Sequence, residues 1–136
     1  MKIKNTLRNL IVLIVGLISF SGFADAFRMI HVEDLNKMMK AKGTQVVVFD
    51  ANSTETRKTD GIIPGAKLLS SFDEYNTAKE LPANKSTSLV FYCANTRCTA
   101  SHTAAKRAMD AGFKDVSVMS DGIQGWKKSG QMTAQP

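Results

Sequence analysis

Two cysteines, Cys93 and Cys98, and a histidine, His102, fall within ten residues of one another. Cys93 closes the apolar run Leu89-Val-Phe-Tyr-Cys93, and a helical pattern opens a few residues later. A cysteine at the carboxyl end of a buried strand, followed by a short loop and a helix N-terminus, stands where α/β sheets place their ligands. Backbone N–H groups of such a loop and first turn lack intrahelical partners and converge on whatever lies in front of them. The helix dipole favours negative charge at the same place. The expectation is therefore a Cys93 thiol with a lowered pKa, available as a nucleophilic thiolate at neutral pH. The loop Ala94, Asn95, Thr96, Arg97, Cys98 and Thr99 is expected to cradle an anion, including the outer sulfur of a persulfide on Cys93. The competing reading of Cys93 is a buried structural thiol, and its place at a strand end weighs against that.

Cys98 has two readings. Either it fills a loop position, or it is a resolving thiol that attacks the inner sulfur of a Cys93 persulfide, forming a disulfide and expelling hydrosulfide. A disulfide needs Cα atoms within about 7 Å. Cys93, Cys98 and His102 make three soft ligands, whereas a structural zinc site takes four, so no metal is expected and His102 reads as a solvated helix residue. His31 has no companions in the sequence. No glycine-rich phosphate motif is present, so no nucleotide, flavin or other cofactor is expected. Arg97 is either an exposed loop charge or a guide for anionic donors. Thr99 and Ser101 are candidate helix caps. Asp50 is expected to brace the loops through backbone amides, and Asn52 and Arg57 fall at the rim by position alone.

The elements that must position these groups are legible in the hydrophobic pattern. Val32, Leu35, Met38 and Met39 recur at helical spacing, and Gly43 closes that segment. Gln45 to Asp50 and Thr87 to Cys93 are continuous apolar runs, as expected of strands covered on both faces. Between them lie a polar stretch from Ala51 to Gly61, read as loop, and a turn at Pro64-Gly65. A short strand follows at Lys67 to Ser70 and a short helix at Phe72 to Leu81. Ala100, Ala104, Ala108 and Ala111 line one face of a helix ended by Gly112, and small side chains there let a helix lie close on a sheet. Asp115 to Met119 is a further strand. Asp121-Gly122 turns into a last helix that carries Trp126, a core residue, and ends at Gly130. Strands alternating with helices at this spacing predict an α/β domain with a mainly parallel central sheet and helices on both faces.

The first 26 residues read differently. Lys2, Lys4 and Arg8 precede an apolar run from Leu10 to Phe20, and Ala24-Asp25-Ala26 offers small residues at a peptidase site. This is the pattern of a secretory signal peptide cleaved after Ala26. The apolar run is short of the ~20 residues of a spanning helix, so no stable membrane anchor is expected after cleavage. An exported, periplasmic domain from Phe27 to Pro136 is the expectation. The 136 residues, 43% hydrophobic and 22% charged, exclude a disordered or disulfide-stapled chain. The net charge of +6 is unevenly spread and falls to 15 − 11 = +4 once the leader is removed; the remaining positive charges are scattered rather than clustered, which argues against nucleic acid and suits small anions.

Four motifs in register resemble the rhodanese-type sulfurtransferases. They are Asp50 ending its strand, Gly61-Ile-Ile-Pro-Gly-Ala66, Leu89-Val-Phe-Tyr-Cys93 with its loop and alanine helix, and Asp121-Gly-Ile-Gln-Gly-Trp126. The resemblance spans about Met29 to Gly130. It implies a single rhodanese-like domain in which Cys93 takes sulfane sulfur from thiosulfate, polysulfide or a persulfide. The sulfur then passes to a thiol, a protein acceptor or cyanide by double displacement. Asn52, Ile62, Thr96 and Cys98 replace an Arg, a His, a Gly and an Arg common in the family. Six positions after Cys93 stands Thr99 where cysteine phosphatases carry an arginine that grips phosphate oxygens, which argues against phosphatase chemistry. Two rivals remain open: a thiol–disulfide redox protein running on Cys93 and Cys98, and a non-catalytic sulfur-binding module.

Overall fold

The computed structural model describes residues 26–136; the leader expected over 1–26 lies outside them but for Ala26. In chain order the elements are β1 (Arg28–Ile30), α1 (Val32–Lys40), β2 (Val46–Asp50), α2 (Thr54–Asp60), β3 (Lys67–Leu68), α3 (Thr77–Glu80), β4 (Ser88–Tyr92), α4 (Ala100–Asp110), β5 (Val116–Met119) and α5 (Gly122–Lys128). The five strands pair in parallel in the order β1-β5-β4-β2-β3. β4 is central, and all five of its residues are buried.

The strand period of two divides β4 between two cores. Leu89 and Phe91 pack with Ala104, Ala105 and Ala108 of α4 and with Phe113. Val90 and Tyr92 pack on the opposite face with Leu35 of α1 and with Ile123 and Trp126 of α5. Helices therefore cover both faces of the sheet, as the apolar runs predict. Ala104, Ala105 and Ala108 of α4 are completely buried and Ala100 partly so, and their size lets the helix approach the sheet. Phe49 and Phe91, paired across β2 and β4, stack with ring centroids 5.1 Å apart. Full burial of a side chain such as Leu89 or Phe91 contributes about 1.5–3 kcal/mol.

Three elements depart from the sequence expectation. The polar stretch after Asp50 contains α2, which buries none of its residues and so shows no apolar period. It is started by Ser53, whose hydroxyl accepts the Thr56 amide at 3.2 Å. The helix expected over Phe72 to Leu81 shortens to the single turn of α3, capped by Asn76. β1, unexpected from sequence, is three residues long and pairs only with β5. At Pro64-Gly65 the Ala66 amide returns to the Ile63 carbonyl at 3.0 Å, and Gly65 takes the positive φ of 82° that this turn requires.

Candidate active site

The carboxyl ends of β2 and β4 meet in a fixed wall. Asp50, with no solvent exposure, accepts the Asn52 amide at 2.7 Å and Arg57 Nε at 3.1 Å through Oδ1. Its Oδ2 accepts the Tyr92 hydroxyl at 2.6 Å, and that hydroxyl accepts the Ile63 amide at 3.0 Å. Burial and the Asp50 charge push the Tyr92 pKa up, so it stays a neutral donor. Arg57 Nη2 also donates to the carbonyls of Asp50 and Leu69, each at 2.9 Å. The guanidinium is thus engaged by the wall. Above it opens a cavity of about 530 Å³ whose lining includes Asn52, Ser53, Arg57, Phe72, Ala94 and Cys98.

Cys93 follows β4 directly but does not face that cavity openly; it is 2% exposed. Its Sγ donates to the Cys98 carbonyl at 3.3 Å and lies 3.2 Å from Ser101 Oγ on the first turn of α4. The first amides of α5 hold the start of the loop: Ile123 N–H binds the Cys93 carbonyl at 2.9 Å and Gln124 N–H the Ala94 carbonyl at 3.0 Å. Because a trans peptide is planar, fixing the Cys93 carbonyl on α5 turns the Ala94 N–H the other way, towards the loop interior. Asn95 then closes a turn, its carbonyl accepting the Cys98 amide at 3.1 Å and its Oδ1 the Arg97 amide at 3.0 Å. The amides of Arg97 and Cys98 are therefore taken within the loop.

This arrangement corrects the expected electrostatics. Burial, reinforced by the neighbouring Cys98 thiol, pushes Cys93 up to about 11, although the Ser101 hydroxyl and amide act in the opposite direction. For Cys98 burial also opposes ionisation, but the Ala94 amide, the Cys93 thiol and the Ala100 amide together bring its pKa below the ordinary thiol value. Cys98 is half-buried at the cavity.

The remaining candidates are placed as follows. Thr99 stands at the N-cap of α4 but makes no side-chain cap bond, and the Ser101 hydroxyl turns to Cys93 instead. Arg97 is exposed. The His102 ring lies 5.3 Å from that of Phe27. Among the described residues no group of three His, Cys, Asp or Glu side chains could hold a metal ion. Trp126 is buried, its Nε1 donating to the Met132 carbonyl at 2.8 Å. His31, silent in the sequence, faces Asp121 at 3.2 Å, while Asp121 also accepts the Val32 amide at 3.0 Å.

Comparison with known proteins agrees with this fold. The model of the rhodanese-like domain matches residues 31–129. No protein of curated function matches the chain. A Bacillus halodurans protein of solved structure superposes with a TM-score of 0.68 at 22% identity, covering 81% of this chain and 77% of that one. The polysulfide-sulfur transferase homodimer of Wolinella succinogenes gives 0.67 at 17% identity, covering 82% and 80%. A rhodanese-like domain protein of Staphylococcus aureus gives 0.53 at 25% identity, covering 74% and 91%.

Proposed function

The chain belongs to the rhodanese-like domain family, and from that premise we propose that it is a sulfurtransferase working through a cysteine persulfide on the Cys93–Cys98 pair. A thiolate of the pair attacks the outer sulfur of thiosulfate, a polysulfide or a low-molecular-weight persulfide. The donor S–S bond breaks, and sulfite, the polysulfide shortened by one sulfur, or a thiolate leaves. A thiol or cyanide then takes the outer sulfur and returns the thiolate.

One observation carries this reading: a thiol pair sits between the end of β4 and the first turn of α4, where the Ala94 and Ala100 amides stabilise negative charge on sulfur. Such amides suit a thiolate and the terminal anion of a persulfide equally. The polysulfide-sulfur transferase among the structural relatives is consistent with it. The basic and apolar leader makes export to the periplasm part of the same proposal, with small sulfur anions, low-molecular-weight thiols or a protein acceptor as partners.

The test is intact-mass measurement of the reduced protein after incubation with thiosulfate, polysulfide or glutathione persulfide. A gain of one sulfur, removed by cyanide, is expected in at least one of the wild type, Cys93→Ser and Cys98→Ser, and in no variant lacking both cysteines. No gain in any of these three proteins with any donor overturns the proposal.

A further inference from the structure

We infer that Asn52 sets the choice of sulfur donor: its carboxamide, with Phe72 on the same cavity wall, selects an organic persulfide bearing a carbonyl or carboxylate oxygen over inorganic thiosulfate. This names the substrate class of the site and rests on the persulfide chemistry proposed above.

The Asn52 side chain is a polar group of the cavity wall that the fold leaves unused. Its Nδ2 is closed to solvent and has no hydrogen-bond partner among the described residues, in a residue only 8% exposed. A buried donor without a partner costs stability, and native structures keep few of them. The backbone around it is fixed. The Asn52 amide donates to Asp50 Oδ1 at 2.7 Å, the Ala51 amide to the Tyr92 carbonyl at 2.9 Å, and Ser53 caps α2. The last torsion of an asparagine is soft. A half-turn there exchanges Nδ2 and Oδ1 and brings the donor to the cavity that Asn52 lines. A carboxamide offers both donors and an acceptor, so it can pair with a peptide-type amide or a carboxylate.

The rest of the wall narrows the ligand. The Ser70 and Ser71 hydroxyls, also on the lining, are turned to Glu80 and Asp73, each at 2.6 Å. The charged side chains of the lining are Glu55 and Arg57, and the Asp50 carboxylate at 3.1 Å balances the Arg57 charge. A thiosulfate dianion therefore meets no unbalanced cation on this lining, and Glu55 repels it. Phe72, 41% exposed, adds an apolar surface. An inorganic anion gains nothing from that ring, whereas the methylene groups of a thiol skeleton leave water on it. A neutral amide and an exposed ring on one wall fit a donor with a carbon skeleton.

The loading step balances for such a donor. A thiolate of the pair attacks the outer sulfur of RS–SH, and the donor S–S bond breaks. RSH leaves with the persulfide proton, and the protein keeps S–S⁻. Asn52 and Phe72 act on R alone.

The experiment measures loading rates of the reduced protein by rapid mixing and intact mass, with glutathione persulfide, ethyl persulfide and thiosulfate as donors. Each rate is divided by that of the same donor with free cysteine, which removes intrinsic reactivity. The wild type is expected to favour glutathione persulfide by about tenfold or more over ethyl persulfide, which lacks the carbonyl, and over thiosulfate. Asn52→Leu, similar in shape but without a donor, is expected to lose about tenfold with glutathione persulfide and less than about twofold with the other two. It should keep its stability in urea, because the group removed has no partner in the free protein. Phe72→Ala is expected to slow both organic persulfides several-fold and to spare thiosulfate. Wild-type rates that are equal for the three donors, or fastest for thiosulfate, overturn the assignment and leave the sulfurtransferase proposal standing. An equal loss with all donors in Asn52→Leu, or a loss of its stability, makes the amide structural and does the same. No loading by any donor in any of these proteins overturns both. The wild-type comparison of donors decides even if a variant folds poorly.

Discussion

Gly122 lies against the peptide of Ala94 so closely that a Cβ placed on it would stand 2.5 Å from the Ala94 carbonyl carbon. This contact joins the start of α5 to the start of the cysteine loop, and the neighbouring amides of Ile123 and Gln124 bind the Cys93 and Ala94 carbonyls. Gly122 also has a φ of 66°, which costs a side-chain-bearing residue about 1–3 kcal/mol. Gly122→Ala is expected to lose at least that much stability in urea unfolding and to load sulfur several-fold more slowly, because the Ala94 amide is displaced. Unchanged loading kinetics would show that the α5 contact does not position the loop.

The Arg57–Asp50 pair behaves as a buried one, with side-chain exposures of 11% and 0%. Replacing Arg57 by Met leaves the Asp50 carboxylate without its cation and is expected to cost about 3–5 kcal/mol. The more exposed Lys127–Asp60 pair serves as the comparison. Lys127→Met is expected to change stability by about 1 kcal/mol or less, and equal losses for the two variants would contradict the account of the wall.

Differential alkylation tests the assignment of charge between the thiols. At neutral pH iodoacetamide is expected to modify Cys98 well before Cys93, and the Cys98 rate should reach its plateau below the pH at which an ordinary thiol does. Cys93 is expected to gain reactivity only as pH approaches about 11. Ser101→Ala removes a group that favours the Cys93 thiolate and should slow Cys93 alkylation further. Faster reaction at Cys93 would reverse the assignment.

His31 gives a separate pH signature. Its hydrogen bond to Asp121, with the Asp121 charge next in size, raises its pKa above 6.5. The folded value lies above the unfolded one, so this stabilisation is whole below about pH 6.5 and is lost as pH rises through the raised value. The melting-temperature advantage of wild type over His31→Gln should therefore shrink with rising pH across that range. An advantage that grows with pH would contradict the pairing.

What the sequence made legible follows from burial. Gln45 to Asp50 and Thr87 to Cys93 read as strands because a two-sided core demands apolar side chains on both faces, and the strands form over Val46–Asp50 and Ser88–Tyr92. The alanine face of α4 is visible for the same reason. α2 carries no such mark, because its structural contribution is Arg57 reaching back to Asp50. β1 is too short and exposed to show a period. At the site, the place of Cys93 at a strand end was legible. The direction of its thiol was not, because that depends on which loop carbonyls α5 holds and which amides Asn95 takes. Ser101 looked like a cap because hydroxyls at a helix start usually are; its partner is set by the tertiary approach of α4 to β4.

Trp126, the single tryptophan of the chain, is buried on α5, the seven-residue helix whose first amides grip the cysteine loop. Any shift of that loop as the thiols change state is therefore transmitted through less than two helical turns to the indole. The protein thereby carries its own optical gauge: intrinsic emission, followed during rapid mixing, can time the sulfur chemistry without an added dye.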